Sequence, residues 1–339
     1  LQFEFTEPQT EIEKLFGGHF SINAFGPIKL GDVEKFQAFI GKHAPPMRTP
    51  VYINSGGGHV ETAIGLGRII RDHWYSTHVG MNVIDVKHNS SPLIRRKRTS
   101  GKCISAATLM FLGGRLRYIR KEDRFGVHQF SFKDPIPNKV QLSQQLSAKI
   151  SRYVFDMGID TEFLELSSST PNDNVDFIEH EKLTKIGVVT GGETDAKWSI
   201  HPGKNSMYVR GERDSLYGHH KVMLSYVKGG GFFFHAVIEA QGRYEELTNF
   251  GLVELVVDGE RLRIDISDRC DRFTVGLYVN VIAMLTNKEA KVLAYSESFG
   301  VQIRFSLEAP MFLGISAIPT RGGTDELISF YECLVGPSE

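Results

Sequence analysis

The chain has 339 residues, 41% of them apolar and 23% charged, with a formal net charge of −1. That balance excludes a global electrostatic pull toward nucleic acid or an acidic membrane surface, and no apolar run approaches the ~18–20 residues of a spanning helix. At roughly 100–200 residues per domain, the length favours two domains. Along the first half, strand-like and helix-like stretches alternate in the manner of an α/β domain. Phe20 to Gly26 reads as a strand, and Gly31 to Ile40 as a helix with Val33, Phe36, Phe39 and Ile40 on one face. TPVYIN is a strand running into three glycines, HVETAIGLGRIIRDH a helix, and STHVGMNVIDV a single further strand. SAATLMFLGG is a short apolar helix closed by Gly113 and Gly114, RLRYI and RFGVHQF are strands, and Gln141 to Met157 is a longer helix.

Near Thr190 the texture changes. Residues 1–190 form one expected domain, 191–205 a Gly-, Pro- and Lys-containing linker, and 206–339 a second domain. The second is a series of short β-rich runs, including HKVMLSYV, GFFFHAVIEA, KVLAYSES and ELISFYECL, with Asp258-Gly259 as a hairpin signal. An all-β sandwich or jelly-roll-like module is expected there. Cys103, Cys270 and Cys333 are too few and too scattered for a disulfide framework or a zinc site. A Cys270–Cys333 bridge stays open beside the expected free, buried thiols. The chain opens on Leu1 rather than Met, from which a removed or processed start is expected.

Three segments carry candidate chemistry. Ile53-Asn54-Ser55-Gly56-Gly57-Gly58 is a glycine-rich strand-to-helix turn whose amides can approach a developing negative charge. A plain tight turn would read the same way. It lacks the Lys-Ser/Thr pair of a phosphate loop. In Gly101-Lys102-Cys103-Ile104-Ser105-Ala106-Ala107, small residues surround a serine at the start of an apolar helix. Such a serine is a candidate nucleophile beside a free Ala106 amide, or simply an N-cap. His128, in Phe125-Gly126-Val127-His128-Gln129, is a candidate general base or a satisfied strand histidine.

Taken in order, YINSGGG, GKCISAA and FGVHQ resemble the motifs of the Clp protease proteolytic subunit, with 23 positions between Ser105 and His128. The likeness spans about residues 20–190 and extends to Clp-like bacterial envelope proteins. It implies a Clp/crotonase-like spiral of ββα units and a serine peptidase with Ser105 as nucleophile and His128 as base. It further implies an oxyanion hole of Gly57, Gly58 and Ala106, and no cofactor or metal. A peptide or protein substrate, a homo-oligomer and a place in the periplasm or cell envelope follow from the same resemblance. The family's aspartate falls on Val175, so Asp173, from Asn172, Asp173 and Asp176 nearby, is the expected third member. Gly56 stands where the family has proline, which loosens the loop. A Ser-His dyad, a non-catalytic interaction protein and, by fold analogy alone, a crotonase-type acyl-CoA enzyme are the alternatives. The basic run Leu93 to Arg98 (LIRRKR) reads as a solvated loop, or as a lid before the serine or a site for an acidic partner. Phe232-Phe233-Phe234 reads as core of the second domain, with a binding surface as the alternative.

Overall fold

A computed structural model describes residues 1–16, 18–85, 93–130 and 138–335. Contacts divide the chain into two units, Leu1–Gly191 and Gly192–Glu339. The first is built on short buried strands separated by amphipathic helices. It begins with β1 (Gln2–Thr6), α1 (Glu11–Phe16), β2 (Ser21–Phe25), α2 (Asp32–His43), β3 (Pro50–Asn54) and α3 (Val60–Asp72). Next come β4 (Ser76–Val79), β5 (Met81–Ile84), β6 (Arg96–Thr99), β7 (Lys102–Ile104), α4 (Ala106–Leu112), β8 (Arg117–Tyr118) and β9 (Arg124–Val127). It closes with α5 (Lys139–Asp156), α6 (Glu162–Ser169), β10 (Asp176–Phe177) and α7 (His180–Lys185).

One sheet runs β1-β2-β3-β4-β8, parallel except for the antiparallel β1–β2 pair. A second runs β10-β9-β7, in which β7 and β9 are parallel and β10 is antiparallel to β9. Helix α3 shows how the elements hold together. Ala63, Leu66, Ile69 and Ile70 repeat at helical spacing and are buried, each larger one stabilising by about 1.5–3 kcal/mol. Its first turn is capped by the His59 ring, which accepts from the Thr62 amide.

Two expectations for this unit are corrected. STHVGMNVIDV is two strands, because Gly80 turns the chain at a φ of 105° between β4 and β5. The basic run is a solvated loop only in its first half: Leu93 to Arg95 lie outside any strand, while Arg96 to Arg98 lie in β6, paired antiparallel with β5. Arg96 is held by Glu13 at 2.7 Å, and Arg98 reaches Asp123 and lies over the Tyr52 ring. Residues 86–92, just before this run, lie outside the described residues.

The second unit is antiparallel. Its strands are β11 (Lys197–Pro202), β12 (Ser206–Ser215), β13 (Gly218–Val227), β14 (Gly231–Glu239), β15 (Leu252–Val257), β16 (Leu262–Asp265), β17 (Cys270–Val275), β18 (Tyr278–Leu285), β19 (Ser298–Arg304) and β20 (Leu313–Pro319). A large sheet runs β11-β12-β13-β14-β18-β17 and a smaller one β16-β15-β19-β20. Phe232 and Phe234 are buried among Val222, Leu224, Val281 and Phe299, while the alternate Phe233 faces away, as strand periodicity requires.

Here the all-β expectation fails. Helices α8 (Tyr244–Asn249), α9 (Asn287–Ala294) and α10 (Thr324–Val335) interrupt the strands. KVLAYSES starts inside α9, which Thr286 and Glu289 open with a reciprocal capping box. ELISFYECL is α10: Leu327, Phe330 and Tyr331 bury one helical face, a 3–4 spacing that overrides the β-like composition. The stretch expected as a linker, 191–205, contributes β11 to the large sheet, in register with β12. All three cysteines are free; Cys103 is buried, Cys270 half-buried and Cys333 exposed, so the expectation of buried thiols fails for Cys333.

Candidate active site

Strand pairing sets the site. Lys102, Cys103 and Ile104 of β7 stand opposite Arg124, Phe125 and Gly126 of the parallel β9. Ser105 therefore leaves β7, and His128 leaves β9, at the same carboxyl edge, the edge at which α/β sheets bind ligands. The Ser105 amide donates to the Gly126 carbonyl at 3.0 Å, extending the pairing by one residue. Cys103, two residues before Ser105 on β7, is fully buried, and that burial pushes its thiol well above the usual range. It is a packing residue.

Ser105 has φ 60° and ψ −131°, a left-handed φ that a non-glycine residue adopts at a cost of roughly 1–3 kcal/mol. Its carbonyl accepts from the Thr108 amide at 3.0 Å and the Thr108 hydroxyl at 2.6 Å, which fixes the turn into α4. Its side chain caps nothing, so the N-cap role does not occupy the hydroxyl. The glycine loop lies against it. The Ser55 amide donates to Lys102 and the Ile104 amide to Ser55, zipping the loop onto β7. Gly57 has φ 97°, and a Cβ there would fall 2.8 Å from both the Ser105 Cβ and the Ile104 carbonyl oxygen. This close approach is what the glycine supplies.

The three amides expected in an oxyanion hole differ in their state. The Ala106 amide, first in α4, makes no hydrogen bond with the described residues, and Ala106 lines the cavity with Ser105 and His128. The Gly57 amide donates to Ser55 Oγ at 3.1 Å. Gly58 is locked against Ile28, whose carbonyl oxygen leaves 2.1 Å for a Cβ.

His128 is half-buried, and no hydrogen bond joins it to Ser105 in this state. Its Nδ1 lies 2.8 Å from the Gln129 carbonyl oxygen. A proton on Nδ1 donated to that carbonyl leaves Nε2 as the base, the usual way a backbone oxygen fixes a histidine tautomer. Gln129 is itself anchored: its amide donates to Thr170 O at 2.8 Å and its side chain to Ser168 O.

Asp173 is not brought to the site. It lies exposed in the turn 171–174, and no carboxylate among the described residues pairs with His128. The pairing of β10 with β9 ends at Asp176 and Val127, and Val175 and His128 are the next residues beyond it. Val175 Cγ1 packs over Gly126, where a Cβ would approach it to 2.6 Å.

The cavity has a volume of about 510 Å³. Its apolar wall includes Val60, Leu109, Ile150 and Phe163, and Glu165 is the one carboxylate among its described lining residues. Ser143, Ser147 and Ser151 of α5 also line it. The sequence reading missed these serines, although their i, i+4 spacing places them on one helical face. Helix α5 is tied to α4 by the Tyr153 hydroxyl, which donates to Leu109 O at 2.8 Å. Among the described residues no group of three or more His, Cys, Asp and Glu gathers as metal ligands, and no helix is long and apolar enough to cross a membrane.

No protein-family model matches the chain, and no curated protein matches it. Among solved structures, a mutant of ClpP1 from Listeria monocytogenes is similar at 16% identity with a TM-score of 0.36, covering 49% of this chain and 86% of that one.

Proposed function

We propose that the first unit is a serine peptidase with a Clp/crotonase-type arrangement, working through a Ser105–His128 dyad. The observation that carries this is the placement of Ser105, strained and uncapped, and His128 at one edge of neighbouring parallel strands, both lining one cavity. In the reaction, Ser105 Oγ bonds to the scissile carbonyl carbon as its proton passes to His128 Nε2. The oxyanion is met by the uncommitted Ala106 amide and by Gly57, once Ser55 Oγ yields that amide. Collapse breaks the C–N bond, and the leaving amine takes the proton from His128. Water, deprotonated by the same imidazole, then releases the acid. The Gln129 carbonyl substitutes for a triad acid by holding the tautomer, with less charge to stabilise the imidazolium. The second unit selects substrates or partners.

The test is hydrolysis of an unstructured protein such as casein and of fluorogenic peptides by wild type, Ser105→Ala and His128→Gln. Loss of turnover in both variants, with unchanged thermal melting, is expected; a Ser105→Ala protein as active as wild type overturns the proposal.

The absence of a carboxylate on His128 among the described residues favours a second reading, a non-catalytic interaction protein that retains the fold. Under it, wild type shows no hydrolysis above the Ser105→Ala level.

A further inference from the structure

The second unit holds its own cavity, of about 490 Å³, whose wall changes character from floor to lip. The floor carries Arg213 and His220, cross-strand partners on β12 and β13, and Glu239, whose carboxylate accepts from the His219 amide at 2.8 Å; all three are more than nine-tenths buried. Arg213 is incompletely satisfied. Its Nη2 donates to Ser316 Oγ at 3.0 Å, its Nη1 is 3.1 Å from a Glu193 carboxylate, and its Nε is buried without an acceptor. Glu193 is 59% exposed and so can swing away at small cost. The lip is apolar and open: Tyr217 is 76% and Met311 80% exposed, with Pro310 and Phe312 beside them.

A buried guanidinium needs an anionic or well-placed acceptor, and exposed large apolar side chains grouped at a cavity mouth mark a binding surface. We infer that this cavity binds a carboxylate carried on an apolar body, with the carboxylate replacing Glu193 on Arg213 and the apolar part lying against Tyr217, Met311 and Phe312. A planar fork of N–H donors suits a carboxylate better than a single neutral acceptor. The carboxyl terminus of an apolar peptide and a medium-chain fatty acid share this chemistry. The site does not depend on the peptidase reading.

The experiment uses the full chain carrying Ser105→Ala, so that a peptide probe is not consumed. Calorimetric titration compares the peptide Ala-Leu-Leu-Phe with a free carboxyl end, the same peptide as its C-terminal amide, and decanoate. The free acid or decanoate is expected to bind at least tenfold more tightly than the amide, and the stronger of the two names the source. Arg213→Gln should abolish the preference over the amide. Because a change at Arg213 could disturb folding, Met311→Asp at the exposed lip serves as the second variant and should weaken acid binding about tenfold with unchanged melting. Equal binding of acid and amide, no binding of either acid, or unchanged acid affinity in Met311→Asp overturns the inference.

Discussion

Val175 and His128 each stand one position beyond Asp176 and Val127, the last pair of the antiparallel strands β10 and β9. The Val175 side chain packs over Gly126, two residues before His128 and on the same face of the sheet. On the peptidase reading proposed above, a hydrocarbon lies where an orienting acid would be wanted, while the Gln129 carbonyl oxygen is 2.8 Å from the His128 Nδ1.

Restoring a carboxylate there should help. Val175→Asp is expected to raise kcat by roughly tenfold, since an acid behind the imidazole stabilises its protonated form. The check is kcat of Val175→Asp beside wild type and the uncharged Val175→Asn. An unchanged or lower kcat would show that the carbonyl already does this work, or that the base is elsewhere.

Gly57→Ala tests the loop. A Cβ at that position meets backbone 2.8 Å away, at a positive φ, so something must shift. A loss of about 2 kcal/mol in urea unfolding is expected from strain and clash together, with peptidase activity falling further than stability explains. Gly56→Ala is the control, because the nearest atom to a Cβ there is the far end of Lys102 at 4.0 Å.

His78 predicts a response to acid. It is stacked between Tyr52 and Tyr118, and burial, then the charge of Arg98, pushes its pKa down to about 3. A depressed folded-state value means that the unfolded chain takes up the proton first. Stability from this group is present above the unfolded value of 6.5 and is lost as pH falls toward 3. The loss is on the order of 2–4 kcal/mol at pH 3. His78→Phe should flatten the dependence of urea stability on pH between 6 and 4; an unchanged slope would contradict it.

A lower window belongs to Glu13. Its carboxylate accepts from Arg96 and from the Gln9 and Ile94 amides, and the Arg96 hydrogen bond leads in lowering its pKa to about 2. Its contribution is present above pH 4.5 and lost as pH falls through 2. Glu13→Gln is expected to cost about 2 kcal/mol at pH 7, and the difference from wild type should shrink as the pH approaches 2. A constant difference would place the effect in packing instead.

Much of this was readable in the residues because it is local. The glycine run, the serine at a helix start and the histidine on a strand each announce a backbone geometry, and β9 follows directly from RFGV, whereas the three-residue β7 (KCI) does not read as a strand. The missing parts are relations between distant segments. That Val175 packs over Gly126 depends on the register of β10, and that α5 serines line the cavity depends on how Tyr153 seats the helix on α4. The Gln129 carbonyl could not be foreseen, because every residue carries one and its direction is conformational. In the second unit, Phe330 and Tyr331 read as strand residues by type. The stripe they form with Leu327 decided for helix α10.

The central claim is that the Ser105 hydroxyl is activated by His128. It is tested most directly by reacting the protein with a fluorophosphonate and locating the adduct by peptide mass spectrometry. A single adduct on Ser105 is predicted, absent in Ser105→Ala and at least a hundredfold slower to form in His128→Gln. No adduct on Ser105 under conditions that label a control serine hydrolase, or equal labelling of wild type and His128→Gln, would contradict it.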